Sequence, residues 1–513
     1  MKQATNPLIW ADVPDPDMIR VGEYYYMVST TMHLSPGVPV MRSSDLADWE
    51  IVSYVYDRLE ENDSYNMSEG KHVYGKGSWA ASLRYHDSRF YVCFASLDMN
   101  RTYIYRTENM IEGPWERSVL PGTYHDPSLF FEEDGRVFII HGNGIIRITE
   151  LTPDACMVKP GGVDQVLVNT VRSTNLLNSE GSHFYKMNGK YYLFVIEWPK
   201  IGSCRRIEWC YRSDSLLGEY EGKVVLDDEF CYGNNGVAQG GIIETPNGDW
   251  YGFLFQDHDA VGRIPMLIPM VWQDGWPKLG IEGKVPMDLD IRTVDMPSAH
   301  IVVSDEFDYI DNVLKLPWQW NHNPDNSLWS VTARPGHLRL TTGNTVPNIL
   351  SARNTLSQRT LGPVFTVETL LDTSGMKPGD YAGLAAFQNS YGMLAARVEE
   401  DGTKQLILAM NDGTGNPAIK IEIPLNKNQV ALRIFFHFNS GVIPELSVVD
   451  TAYFSYSFDG EEWIELKDTL HMKYTLDHFM GYRAALFCYA TLQTGGYADF
   501  DYYRFEKRNP RLP

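Results

Sequence analysis

Three acidic residues, Asp15, Asp126 and Glu180, lie far apart in the chain, yet each heads an aromatic-rich hairpin. Carboxyl groups set across a cleft can hydrolyse a glycosidic bond. One protonates the departing oxygen, the other takes a proton from the attacking water, and a third acidic group can tune the acid. If all three converge, their repulsion raises at least one pKa, a costly arrangement that persists mainly where protonation chemistry requires it. Taken singly, each has a plainer role: Asp15 and Asp126 precede proline and can cap turns, and Glu180 can end a solvated strand.

The elements that would bring them together are visible as repeats. A turn followed by an aromatic, alternating strand recurs at Gly22–Tyr26, Ser88–Val92, Gly135–Ile139, Gly189–Leu193 and Gly248–Gly252, at intervals of 66, 47, 54 and 59 residues. Each copy reads as a hairpin, and each interval is long enough for about four strands. Five such units fit a five-bladed β-propeller, where radial repetition leaves only short protected edges; an irregular β-sandwich is the competing reading. In a propeller the inner strand of every blade starts beside the axis. Aligning the repeats then sets Asp15, Ala80, Asp126, Glu180 and Gln239 in one column around it.

The hairpin signature stops after about residue 290, and Asp288–His300 reads as a polar connector containing Pro297. A propeller domain is therefore expected over residues 1–295 and a second domain over 301–513. Short alternating runs fill the latter, among them Leu338–Leu340, Gly383–Phe387, Leu406–Leu408, Leu432–Phe435 and Ala484–Phe487, which suggests a β-sandwich or jelly roll. Convincing long helices are absent, so the fold class is all-β.

Further candidates surround the carboxylates. Trp79 precedes the column position of the second repeat and can wall a sugar ring or fill a core. Arg263 can offer a forked hydrogen bond to sugar hydroxyls or to a site carboxylate. Gln239 shares the column and is a substrate-binding candidate. His33 and His258, at strand ends, can hydrogen-bond substrate or bind a metal.

Composition narrows the partners. A formal net charge of −22 repels phosphate backbones and anionic lipid headgroups, so neither nucleic acid nor a membrane is expected. No window holds the 18 or more apolar residues of a membrane span. Flat amphipathic rings are abundant, with 13 Trp and 30 Tyr, and suit stacking on sugars as well as filling β-rich cores. The six cysteines form no Cys-x-x-Cys pair, which disfavours a zinc site. Residues Met1–Pro7 lack the apolar core of a secretory leader. That implies a cytoplasmic protein if Met1 is the native start, and a periplasmic or secreted one if a leader has been trimmed.

The motifs resemble glycoside hydrolase family 43. Asn6–Ile9 and Val13-Pro14-Asp15-Pro16-Asp17 look like the family's opening, whose Pro-Asp aspartate is the general base. Gly77–Tyr85 resembles its Trp-Ala-Pro segment, with Ala81 in place of the usual proline. Asp126–Phe130 is similar to the segment of the pKa-modulating aspartate, and Glu180–Lys186 to that of the general acid. The resemblance thus implies Asp15 as base, Asp126 as modulator and Glu180 as acid. Gly262-Arg263 with Asp274–Pro277 resembles the last blade, whose arginine contacts the sugar next to the scissile bond. Trp318–Pro324 and Gly495–Asp501 look like the concanavalin A-like C-terminal domain of family β-xylosidases and α-L-arabinofuranosidases, a sandwich that helps close the pocket.

One departure concerns a metal. Many relatives have a Gly-His-Gly histidine facing an axial calcium or water, whereas Gln239 stands at the aligned position; His258 is the candidate substitute ligand. A second calcium, in the sandwich, is a further family expectation without a clear ligand set here. The acid/base chemistry itself requires no cofactor.

The resulting expectation is an exo-acting inverting glycosidase that releases terminal β-D-xylosyl or α-L-arabinofuranosyl units from xylan- or arabinan-derived oligosaccharides. Inversion implies carboxyl groups of Asp15 and Glu180 about 6.5–9.5 Å apart. The alternatives are a non-catalytic carbohydrate-binding protein of the same fold and a propeller serving as a protein-interaction platform.

Overall fold

The computed structural model describes residues 2–293, 301–414, 416–443, 446 and 448–507. Five four-stranded antiparallel sheets follow one another along the first half of the chain. Their inner strands are Asp17–Val21, Ala81–His86, Ser128–Phe131, Asn175–Met187 and Ala238–Glu244. Each inner strand packs beside the next and the last beside the first, which closes a ring of five blades. The protein is a five-bladed β-propeller followed by a β-sandwich.

Each repeated turn joins the first strand of a blade to its second. Gly22, Gly135, Gly189 and Gly248 occupy these turns with φ of 63°, 85°, 76° and 84°, a region glycine enters without a Cβ clash. The second blade manages with Asp87 and Ser88, both at positive φ. Second strands such as Arg89–Ser96 and Val137–His141 are buried along almost their whole length. Neighbouring blades cover both of their faces, so they read as continuous apolar runs rather than alternations.

Closure uses the chain's beginning. Lys2–Thr5 pairs antiparallel with Asp288–Thr293, and the buried Asn6 side chain bonds Leu267 N, Leu267 O and Pro286 O in the region of the fifth blade. Part of the expected polar connector is therefore a strand, whose partner lies some 280 residues upstream, beyond any local pattern. The rest of it, with the expected boundary, falls on residues 294–300, outside the described residues.

Two eight-stranded sheets form the second half. All five sequence runs singled out there lie in strands: Leu338–Thr341, Asp380–Phe387, Lys404–Asn411, Gln429–His437 and Arg483–Ala490. One sheet ends on a propeller segment, Leu34–Ser35, which pairs with Gln319–Asn321. The largest hydrophobic cluster runs without a break from Val13 and Met27 of the propeller to Leu432 and Phe500 of the sandwich. Buried polar groups add to this seam. Asp12 accepts from Arg263 N and Gly481 N, and Asp450 accepts from Ala260 N.

Asn6→Ala leaves the buried Leu267 N–H and two carbonyls without their partner. Chemical denaturation should show a loss of about 2 kcal/mol, within the 1–3 kcal/mol typical of an unsatisfied buried group.

Candidate active site

The ring of inner strands is locked by a repeated contact that also fixes the site's register. Leu83 N donates to Asp17, Leu129 N to Ser82 and Phe184 N to Ser128, each across one blade boundary. Equivalent positions are therefore Asp17, Ser82, Ser128 and His183. Two residues earlier stand Asp15, Ala80, Asp126 and Gly181. Asp15, Asp126, Gly181 and Gln239 share positive φ, at 49°, 44°, 68° and 62°. Glu180 thus sits one residue ahead of its expected place in the column. An irregularity in the pairing between Glu180 and His183 absorbs the difference, and Gly181 faces the Gln239 side chain, where a Cβ would meet Gln239 Cγ at 2.6 Å.

Asp15 is buried, accepting from Thr30 Oγ1 at 2.9 Å and from Arg263 Nη1 at 2.7 Å. Asp126 is buried too and accepts from Gly181 N at 2.9 Å. Glu180 accepts from His125 Nε2 at 3.1 Å and from Asn143 Nδ2. The three carboxylates share one hollow: Asp15 and Glu180 both act electrostatically on Asp126, on His125 and on Arg263. Burial, reinforced by Glu180 and Asp15 and opposed by His125, pushes the Asp126 carboxyl up to about 6. Asp126 in turn is the main cause that raises His125 to about 9, against burial and with help from Glu180.

Arginines complete the balance. Arg263 is buried; burial opposes its charge, but Asp15 and further neighbours hold the guanidinium above its ordinary pKa. It lies over the rings of Phe255 and Phe479, 5.1 and 4.4 Å from their centroids. Arg206 pairs with Asp257 in the same hollow and is lowered to about 10 by burial and by Arg263. Trp79 forms a wall, stacked on Phe479 at 5.5 Å and 14° and tilted against His125 at 5.9 Å. Phe479 comes from the sandwich, as does Tyr474, whose buried hydroxyl lacks a hydrogen-bond partner among the described residues and is influenced by Arg263, Asp15 and Arg206.

Two histidines fall elsewhere. His33 does not face the hollow; only 2% exposed, it hydrogen-bonds Asn321 of the sandwich and packs against Tyr74, His322 and His478. His258 is not a metal ligand in waiting. Its Nε2 bonds Gln256 Oε1 at 2.7 Å, its ring stacks on Tyr232 at 3.8 Å, and burial lowers it to about 3. Both are buried packing groups whose rings lie against other rings, His33 in a cluster with Tyr74, His322 and His478 and His258 between Trp10 and Tyr232. Gln239 lies on the axis; its backbone N–H is bound by Glu208 at 2.7 Å, an acid that burial raises well above its ordinary value.

A calcium on the axis does not fit these residues. The layer below the column holds Asp17, whose Oδ2 already accepts from Leu83 N and Arg84 Nη1 and whose Oδ1 accepts from Met18 N and lies 3.3 Å from His183 Nδ1. Calcium needs six to eight oxygens, and here a guanidinium occupies the ion's electrostatic role. Among the described residues, one group of three ligand side chains converges, His125, Asp126 and Glu180. Asp126 and Glu180 hold the His125 imidazole up to about 9, which favours its protonated form, in which it pairs with both carboxylates.

His125, Asn143, Arg206, Asp257, Tyr474 and Phe479 were not singled out from sequence. His125 carried the one available signal, its place beside Asp126; the others meet the site only through long-range packing.

A propeller whose axial mouth gathers Asp15, Asp126 and Glu180 with Arg263, the Arg206–Asp257 pair and an aromatic wall has the parts of an acid/base glycoside hydrolase. The family described as "Glycosyl hydrolases family 43" matches residues 4–277, and "Beta xylosidase C-terminal Concanavalin A-like domain" matches residues 304–506. The chain belongs to glycosyl hydrolase family 43. A "Beta-xylosidase" of Formosa agariphila is 28% identical, covering 99% of this chain and 90% of its own. A "Non-reducing end alpha-L-arabinofuranosidase" of Bacteroides ovatus is 30% identical over 66% of this chain and 65% of its own. The solved structure of a "Bifunctional GH43-CE" protein of Bacteroides eggerthii is 46% identical with a TM-score of 0.93; the match covers 99% of this chain and 64% of that one.

The His125 imidazole should titrate near pH 9 when followed by NMR. In Asp126→Asn its midpoint should fall, because the largest source of the shift is removed.

Proposed function

We propose that this chain is an exo-acting, inverting glycosidase that removes terminal β-D-xylosyl or α-L-arabinofuranosyl units from xylan- or arabinan-derived oligosaccharides. The observation that carries this reading is the convergence of Asp15, Asp126 and Glu180 in one small hollow walled by Trp79 and Phe479. The names of the Formosa and Bacteroides ovatus relatives support the two pentoses.

In this reading Asp15 is the general base. Thr30 and Arg263 occupy one oxygen each and fix the carboxylate, leaving lone pairs for a water proton. Arg263, set over two aromatic rings, holds the Asp15 carboxylate in place and presents its remaining N–H groups to sugar hydroxyls. Glu180 is the general acid, oriented by His125 and Asn143 on a single oxygen, Oε2, so that Oε1 faces the leaving group. Asp126 and His125 set opposite charges beside this acid.

Asp15→Asn and Glu180→Gln should each lower kcat by about 10²–10⁴-fold, since each removes a proton transfer while nearly preserving shape; Glu180→Gln should keep the melting temperature, whereas Asp15→Asn leaves the buried Arg263 without its charge partner and should lower it while the protein stays folded. The two neighbours should move the alkaline limb of the pH–rate profile in opposite directions. Asp126→Asn removes a negative charge and should shift that limb to lower pH; His125→Gln removes a positive charge and should shift it to higher pH. Proton NMR of the first-formed sugar from aryl xyloside and aryl arabinofuranoside substrates should show the inverted anomer and reveal which pentose is preferred. The retained anomer would refute the mechanism, and full turnover in either carboxylate variant would refute the roles.

A further inference from the structure

The fourth and fifth blades each free one backbone N–H beside the axis, and each hands it to a carboxyl of the blade before. In the fourth blade the pairing is irregular between Glu180 and His183, and Gly181, at φ 68°, donates its N–H to Asp126. In the fifth blade the register shifts between Ala238 and Gly240, so Gln239, at φ 62°, is the extra residue of a bulge. Its N–H donates to Glu208 Oε2 at 2.7 Å. Glu208 is thus to Gln239 what Asp126 is to Gly181. It lies on Ile207–Ser213, the third strand of the fourth blade, in one row with the acid of the hollow: Glu180 pairs with Ile196, and Ile196 pairs with Glu208.

Glu208 is an unusual occupant for that place. Its side chain is fully buried, its Oε1 has no hydrogen-bond partner among the described residues, and the one influence set against burial is the Gln239 N–H. Without a cation beside it the carboxyl is held neutral, and a buried polar group with a single partner is costlier than a hydrocarbon of the same size. What it secures lies one contact further in. The Gln239 side chain rests on Gly181, where a Cβ would meet Gln239 Cγ at 2.6 Å and Cδ at 2.7 Å. Gly181 is therefore held from two sides, its N–H by Asp126 and its α-carbon by Gln239, and Glu180 is the residue before it.

We infer that Glu208 is a positioning residue for the general acid: by fixing the Gln239 backbone it keeps the Gln239 side chain against Gly181 and so sets where the Glu180 carboxyl meets the leaving oxygen. The role of Glu180 rests on the proposed function; the tether rests on the bulge, the 2.7 Å hydrogen bond and the Gly181 contact. What the tether requires is an acceptor and not a charge. An amide can therefore replace the acid, whereas a hydrocarbon cannot.

The test compares Glu208→Gln, Glu208→Leu and Gln239→Ala in the full chain, on xylosides and arabinofuranosides of phenol and of dinitrophenol. Phenol needs a proton to depart and dinitrophenol does not, so the phenyl substrates alone report on the acid. Glu208→Leu and Gln239→Ala should lower kcat/KM on the phenyl substrates by about 10- to 100-fold, the scale of a misplaced reacting group, and on the dinitrophenyl ones by no more than about twofold. Glu208→Gln should match wild type on both. If Glu208→Leu does not fold, Gln239→Ala carries the comparison, since it removes the Gly181 contact and leaves the tether in place. Equal losses on the two leaving groups would overturn the inference in favour of a general structural role, and a loss in Glu208→Gln as large as in Glu208→Leu would overturn it in favour of the acidic proton. The His125 imidazole gives a reading that needs no turnover. Glu180 helps to raise it, so its NMR midpoint should fall in Glu208→Leu and Gln239→Ala and hold in Glu208→Gln. A midpoint unmoved in all three would overturn the positioning role, whereas a wild type inactive on every substrate, with the midpoints moving as stated, would count against the proposed function alone.

Discussion

The buried ion pair between Arg263 and Asp15 is the contact on which the rest of the site depends. A carboxylate removed from water costs several kcal/mol unless it is paired and hydrogen-bonded, and Asp15 is only 6% exposed. Arg263 is held from several sides: its guanidinium by Asp15, its face by Phe255 and Phe479, and its backbone N–H by Asp12. Asp12 also takes the N–H of Gly481 in the sandwich, and its carbonyl accepts from Arg359. One short segment near the N-terminus therefore ties the fifth blade to the second domain and, through Arg263, to the first blade's carboxylate. The sandwich is a structural part of the site rather than an appendage to it.

The remaining charges follow from the same constraint. Three carboxylates in one hollow cannot all be ionised without compensation, and the compensation differs at each. Asp15 has a permanent cation. Asp126 has a backbone N–H and a histidine that gains its proton because Asp126 is there. Glu180, the most solvent-accessible of the three at 20% side-chain exposure, shares that histidine. His125, raised to about 9, thus holds the proton that balances Asp126 and Glu180, while Asp15 is balanced separately by Arg263. One side of the hollow is therefore charged by an arginine and the other by a histidine.

The propeller was legible because each blade announces itself locally: turn, aromatic strand and spacing all fall within a few residues. The positions of Asp15 and Asp126 followed from the shared Asp-Pro step. Glu180 was displaced by one residue because a pairing irregularity, invisible in the side-chain pattern, lies just after it. His33 and His258 were misread because an isolated histidine looks the same in a pocket and in a packed slot, and only burial separates the two. Phe479, Arg206 and Asp257 were illegible for a different reason. Their meaning lies in partners 50 to 400 residues away, and no spacing rule connects Phe479 to Trp79. The strand Asp288–Thr293 was hidden likewise, since its partner is the start of the chain.

A bare propeller mouth is open on all sides and would accept a chain passing through. Here Phe479 lies against Trp79 and beneath the Arg263 guanidinium, so the wall on that side is built from both domains. Tyr474 approaches from the same sandwich segment with a hydroxyl that has no partner among the described residues. The seam that fixes Arg263 also places this wall, because Gly481, bound by Asp12, is two residues from Phe479. The domain interface and the two-domain wall of the hollow are therefore tied to one buried carboxylate.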